Sequence, residues 1–255
     1  MGGLFPIVGN TLRELARSKL FYNLVLFSAL LIGASIFVAQ LTVGEWSRVI
    51  LDMGLSSIEG VGVLLACLIG VGLVAGEIDR RTIYPTLAKP VTRATFLTAR
   101  YAGLALILAA NVALMLGVLA LTLRMAGSHY SPASLPAALL LLIELWLIAA
   151  LAMFYASFTT PTLAVAFCLS TFLVGHLVSD LRAYGERSKS GLAKTVTMAL
   201  YRALPNLELL NLKAQAANDL PVPEGFVSRA ALYGLLYAAV ILLLAIAIFR
   251  RRDLK

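Results

Sequence analysis

The chain has 255 residues, 60% of them hydrophobic and 13% charged, with a mean hydropathy of +0.91 and a formal net charge of +8. Soluble domains carry about 25% charged residues, and a water-soluble fold of this size could not hide so much apolar surface. The composition excludes an ordinary soluble enzyme and points to a chain that crosses a bilayer several times. The basic excess sits at the ends of apolar runs, so it is read as membrane topology rather than as a nucleic-acid surface.

A spanning helix takes roughly 20 mostly apolar residues. Backbone groups in lipid must bond internally, which leaves helices or a closed barrel. A barrel alternates apolar and polar residues over ~10-residue segments. Here the runs are continuous and rich in Leu and Ala, so the predicted fold is an all-α membrane protein.

Residues 4–18, LFPIVGNTLRELARS, repeat Phe5, Val8, Leu12 and Leu15 at helical spacing, with Arg13, Glu14 and Arg17 elsewhere around the helix. This predicts an amphipathic helix on the membrane surface within a cytoplasmic stretch, 1–19. The first span follows, from Leu20 to about Leu41. It is longer than the 7–15-residue apolar core of a signal peptide and is expected to remain as an anchor. Pro6 occupies the position that a myristoylation signal gives to Ser or Thr. A short polar segment, TVGEWSRVILDMG, leads to a second span at about 57–76. The charged stretch EIDRRTIYPTLAKPVTRATFLTAR occupies 77–100, and a third span covers about 101–123. After a loop with Gly127, Pro132 and Pro136 come a fourth span, about 137–157, and a fifth, about 162–179, split by Thr159, Thr160 and Pro161. A polar segment, 180–229, precedes the sixth span at about 230–249 and the tail FRRRDLK. Within it, Leu192, Val196, Leu200 and Leu204 predict a surface helix, followed by an irregular stretch from Pro205.

Six spans put both termini on one side. With both inside, 12 of the 21 basic residues are cytoplasmic and the two short outer loops hold only Arg48 and Arg124. The positive-inside rule therefore favours cytoplasmic ends and an extracytoplasmic 180–229. The seven basic residues of 180–229 run against that rule, partly balanced by Asp180, Glu186, Glu208, Asp219 and Glu224.

Cys67 and Cys168 lie inside apolar runs and are expected to pack there, with no disulfide framework, zinc site or other metal centre. No G-x-x-x-x-G-K-[ST] phosphate loop, H-E-x-x-H or G-x-S-x-G occurs. The chain is thus expected to be no enzyme, to bind no cofactor, and to draw its energy from another chain or an ion gradient. Polar residues within spans are costly and face a partner or a watery cavity. Glu59, Asn111, Glu144 and His176 are therefore candidates for a substrate path, with Glu144 pairing His176. The other reading is interhelical hydrogen bonding that fixes packing. Gly62, Ala66 and Gly70, then Gly72 and Gly76, allow close helix approach, within the chain or between copies.

The 77–100 stretch is charged and broken by Pro85 and Pro90, which suits either docking a partner or a solvated loop that obeys the positive-inside rule. Its pattern EIDRRTIYPTLAKPVTR, with NTLRELARSKLFYNLVLF, DMGL, SFTTPTLA, PNLELLN and the FRRRDLK tail, resembles permease subunits of type-2 ABC transporters. The similarity runs nearly end to end. It is nearest to the branch that includes the permease of the copper-maturation transporter for nitrous oxide reductase. The resemblance implies a single permease domain over 1–255, with the N-terminal helix as the connecting helix. It also implies that 77–100 is the coupling element, in which Glu77, Asp79, Arg80, Arg81, Thr82, Lys89, Pro90 and Arg93 dock a cytoplasmic ATPase. That partner would hold ATP and Mg, and a second permease copy would complete the dimer.

The resulting expectation is an ABC permease of the bacterial inner membrane, working mostly in export, with membrane lipids around it and a candidate periplasmic partner at 180–229. The alternatives are a secondary transporter or channel subunit, and a membrane anchor that recruits a cytoplasmic partner.

Overall fold

The computed structural model describes residues 4–42, 45–80, 92–128, 131–187 and 191–251. Within them the chain is helical, without a strand: α1 (Leu4–Ala16), α2 (Lys19–Gln40), α3 (Trp46–Arg80), α4 (Arg93–Met125), α5 (Ser134–Ala156), α6 (Pro161–Arg187), α7 (Gly191–Ala203), a 3-10 turn at Leu207–Leu210, α8 (Lys213–Ala217) and α9 (Phe226–Arg251). Six of these helices, α2, α3, α4, α5, α6 and α9, are long and apolar enough to cross a membrane. The chain is a multi-pass membrane protein.

Two of the six form the centre. In α5 78% of the most apolar stretch is buried and in α3 72%, against 39% or less in the other four. The remaining spans pack around this pair and turn Leu and Phe side chains outward, as lipid-facing helices do. A Cβ on Gly62 would stand 2.6 Å from a Leu145 methyl, and one on Gly70 2.9 Å from the Cβ of Ala152. The two helices therefore run parallel at close range, and the row Gly62, Ala66, Gly70 serves packing within the chain. Trp146 donates its indole N–H to the Ala105 carbonyl at 3.0 Å, and Tyr101 its hydroxyl to the Trp146 carbonyl at 3.0 Å, which braces α4 to α5. Cys67 and Cys168 are free thiols in full burial, Sγ to Sγ 2.8 Å, between α3 and α6.

Local chemistry sets the helix ends. Thr92 caps α4 by accepting from the Thr95 N–H. Gly127, at φ +67°, ends it: the Ser128 N–H reaches back to the Leu123 carbonyl, a Schellman closure that needs a left-handed residue. Pro161 opens α6 at the first helical position, where its missing N–H costs nothing.

Three boundaries differ from the sequence expectation. α3 begins at Trp46, so the predicted polar connector is helix from that residue on. Glu45, just before it, and Arg48 and Asp52 within it are exposed, while Ile50, Leu51 and Leu55 are buried. α4 begins at Arg93 and absorbs the end of the charged stretch, and α6 continues to Arg187 rather than stopping near 179.

α1 lies against the start of α4. Thr11 and Leu15 face inward, and Arg100, itself buried, reaches Glu14 at 2.6 Å and stacks on Phe96 at 5.4 Å.

Candidate functional site

Four charged or titratable side chains from four elements meet inside the bundle. Glu59 comes from α3, Glu144 from α5, His176 from α6 and Lys213 from α8. Glu144 stands ten residues from Ser134 and twelve from Ala156. At 1.5 Å per residue that is about 15 Å and about 18 Å from the two ends of α5, the middle of the helix. Glu59 and Glu144 are buried, at 6% and 1% exposure.

His176 is the hub. Its Nε2 lies 3.4 Å from Glu59 Oε1 and 3.5 Å from Glu144 Oε1. Its Nδ1 faces the Phe172 carbonyl oxygen at 3.2 Å. A carbonyl can only accept, so Nδ1 carries the hydrogen and donates. Glu59 uses its other oxygen, Oε2, to accept from the Lys213 ammonium. Glu144 Oε1 has no hydrogen-bond donor within reach. Unpaired buried charge costs several kcal/mol, roughly 3–5 when one partner of a pair is removed, so these groups hold one another in place.

The fourth member arrives by an unusual route. Past α7 the chain turns back into the bundle instead of lying on its surface. Leu207, Leu210, Leu212 and Ala216 are fully or nearly fully buried. Leu207 seats on Gly175, where an added Cβ would stand 2.8 Å from the leucine side chain and 3.1 Å from the Pro205 carbonyl. Gly175 lies twelve residues inside the end of α6, about 18 Å along its axis. Irregular backbone at such depth is tolerated only where protein covers it or water reaches it. The Asn206 N–H donates to the Tyr233 hydroxyl at 2.9 Å, and Ser131 donates to Asp219 at 2.8 Å, which ties the segment to α9 and to the head of α5.

The sequence candidates divide. Glu59, Glu144 and His176 come together. Asn111 is buried with both side-chain polar atoms lacking a hydrogen-bond partner, so no hydrogen bond joins it to this cluster. Of the docking candidates, Glu77, Asp79 and Arg80 close α3, with side chains outside the described residues, and Arg81, Thr82, Lys89 and Pro90 lie outside them altogether. Arg93 is placed: its guanidinium donates to the Phe249 and Arg250 carbonyls at 3.4 and 3.5 Å, joining the head of α4 to the end of α9.

Lys213 was not among the candidates. Its signal lay in its surroundings: LELLNLKAQAAN is too apolar for an exposed loop. The predicted surface helix exists as α7, but Leu192, Val196 and Leu200 are exposed, and it leans on α6 through Thr197 against Gly185.

The arrangement can bind a cation or hold a proton between carboxylates, and it can couple either event to the re-entering segment through Lys213. In comparison with known proteins, the family DUF2705, described as protein of unknown function, matches residues 60–255. The match takes in Glu144, His176 and Lys213 and starts one residue after Glu59. No curated protein matches the chain. The chain belongs to the DUF2705 family.

Proposed function

We propose that this DUF2705 member is the membrane-spanning subunit of an ABC transporter, moving a substrate across the bacterial inner membrane under the drive of a separate ATPase. The observation that carries this reading is the course of α3. One unbroken helix of 35 residues holds Glu59 in the buried cluster and ends at Arg80, inside the charged stretch that begins at Glu77. A push on that stretch by a nucleotide-binding partner reaches the cluster along a rigid rod.

Other features support the reading. The six spans fit the expected permease, and α1, packed on α4 through the Arg100–Glu14 pair, suits a connecting helix. Residues 77–100 then hold the docking element on the cytoplasmic side, together with both termini. The chain offers no phosphate loop, so ATP and Mg belong to the partner. A second permease copy covers outward-facing apolar surface, export is the direction, and 180–229 faces the periplasm with room for a partner there.

A charged cluster at mid-depth also favours a second reading, an ion-coupled secondary transporter. Replacement of Arg80, Arg81 and Arg93 by alanine separates the two. Under the ABC reading the triple variant inserts normally but loses its co-purifying ATPase. Full retention of that ATPase, with unchanged hydrolysis, refutes the docking claim.

A further inference from the structure

The His176 ring poses a problem that hydrogen bonding alone does not solve. Nδ1 spends its hydrogen on the Phe172 carbonyl at 3.2 Å. Nε2 then points at two carboxylate oxygens, Glu59 Oε1 and Glu144 Oε1, at 3.4 and 3.5 Å. In the neutral ring this sets a lone pair against two acceptors, and either a protonated ring or a bound cation supplies the positive charge that the three atoms share. Hydrogen bonds from N–H to oxygen are ordinarily 2.7–3.2 Å, so both separations are long for a proton held between donor and acceptor. They do match the spacing of ligands around a shared ion. Zinc bonds to nitrogen and oxygen are about 2.0–2.2 Å, which at tetrahedral angles puts neighbouring ligand atoms about 3.4 Å apart.

We propose that Glu59, Glu144 and His176 form a binding site for a divalent transition metal of the zinc class, with one imidazole nitrogen and two carboxylate oxygens as ligands and a fourth position open. The three ligand atoms lie within 4.8 Å of one another, so a small inward movement completes the set. Glu144 is 1% exposed, and its Oε1 points into the site without a hydrogen-bond donor. The groups behind the ligands are in place as metal sites require. The Phe172 carbonyl fixes the ring tautomer that frees Nε2, and Lys213 engages the Glu59 oxygen that faces away from the site. The mixed nitrogen and oxygen donors suit zinc, manganese or iron(II) over the soft ions that thiolates select. Two carboxylates neutralise a divalent ion, and the nearby ammonium favours a water-derived hydroxide or another anion in the open position.

The inference stands apart from the transport reading, because binding is measured on the full chain without an ATPase. The probe is zinc chloride, added by equilibrium dialysis to the detergent-solubilised protein. The expected result is one zinc per chain, weakened by at least the roughly 10–100-fold that loss of a supporting group costs in Glu144→Gln and in His176→Asn. His129→Asn, which removes the other histidine, should bind as the parent does. Zinc should also raise the unfolding temperature of the parent and leave that of Glu144→Gln unchanged. X-ray absorption on the zinc-loaded parent guards against variants that fail to fold. A shell of nitrogen and oxygen with a single imidazole supports the site. The proposal is overturned by no saturable binding, by binding that follows His129, or by a shell with two imidazoles or with sulfur.

Discussion

Lys213, on a short helix that follows five of the six spans in sequence, places its ammonium on the carboxylate of Glu59 in the second span. This contact ties a re-entering segment to the most central part of the bundle. Removing Lys213 leaves the buried Glu59 carboxylate facing His176 only, and neutralising Glu59 leaves the ammonium without its carboxylate, whereas removing both charges leaves a neutral pair. Lys213→Met and Glu59→Gln should each cost about 3 kcal/mol. The double variant should recover more than half of the summed loss, since residues in contact are not additive. Thermal unfolding of the four proteins in one detergent checks this.

Gly175 is the seat of the same segment. Valine there would drive the Leu207 side chain and the Pro205 carbonyl away from α6. Overpacking of this kind costs about 1–3 kcal/mol. Lys213 in the parent is partly buried and paired, so trypsin should not cut after it. Gly175→Val should be cut there, which peptide mapping after brief digestion will show.

Arg100 holds α1 to α4. It is 8% exposed and touches Glu14, Thr11 and Phe96. Its replacement by alanine loses a charge-assisted hydrogen bond and the stem that fills the gap, together about 2–3 kcal/mol. Faster tryptic cleavage at Arg13 and Arg17, with the spans intact, is the expected outcome. Glu14→Ala should be milder, because Glu14 is half exposed and its pairing is screened by solvent.

Much of the fold was legible in the sequence because lipid imposes one rule, continuous apolar helix, and six runs obey it. The start of α3 was not, because Glu45, Arg48 and Asp52 read as a polar connector, whereas the structure leaves these charges exposed and buries Ile50, Leu51 and Leu55. In the cluster, Glu59, Glu144 and His176 stood out as ionisable residues inside spans. Lys213 did not, because its position depends on where the chain returns after leaving the bundle. Only tertiary packing, Leu207 onto Gly175 and Leu210 toward Gly234, decides that. No residue spacing could reveal the tautomer of His176 either, which rests on the helical carbonyl of Phe172.

Glu144→Gln keeps the shape of the side chain and removes its charge. If the permease reading holds and the cluster lies on the working path, the variant should assemble with the proposed ATPase partner as the parent does. Its substrate-dependent turnover should fall by at least about tenfold, the loss of roughly 1.4 kcal/mol of stabilisation. Turnover equal to the parent's would take the cluster off the transport path.

The most direct test of the central claim is ATP hydrolysis by the protein purified, under a single tag, from membranes of its own host. The permease reading predicts that a chain with a phosphate-binding loop co-purifies in fixed ratio and hydrolyses ATP in a Mg-dependent, vanadate-sensitive manner. A homogeneous preparation with no such chain and no hydrolysis would contradict it.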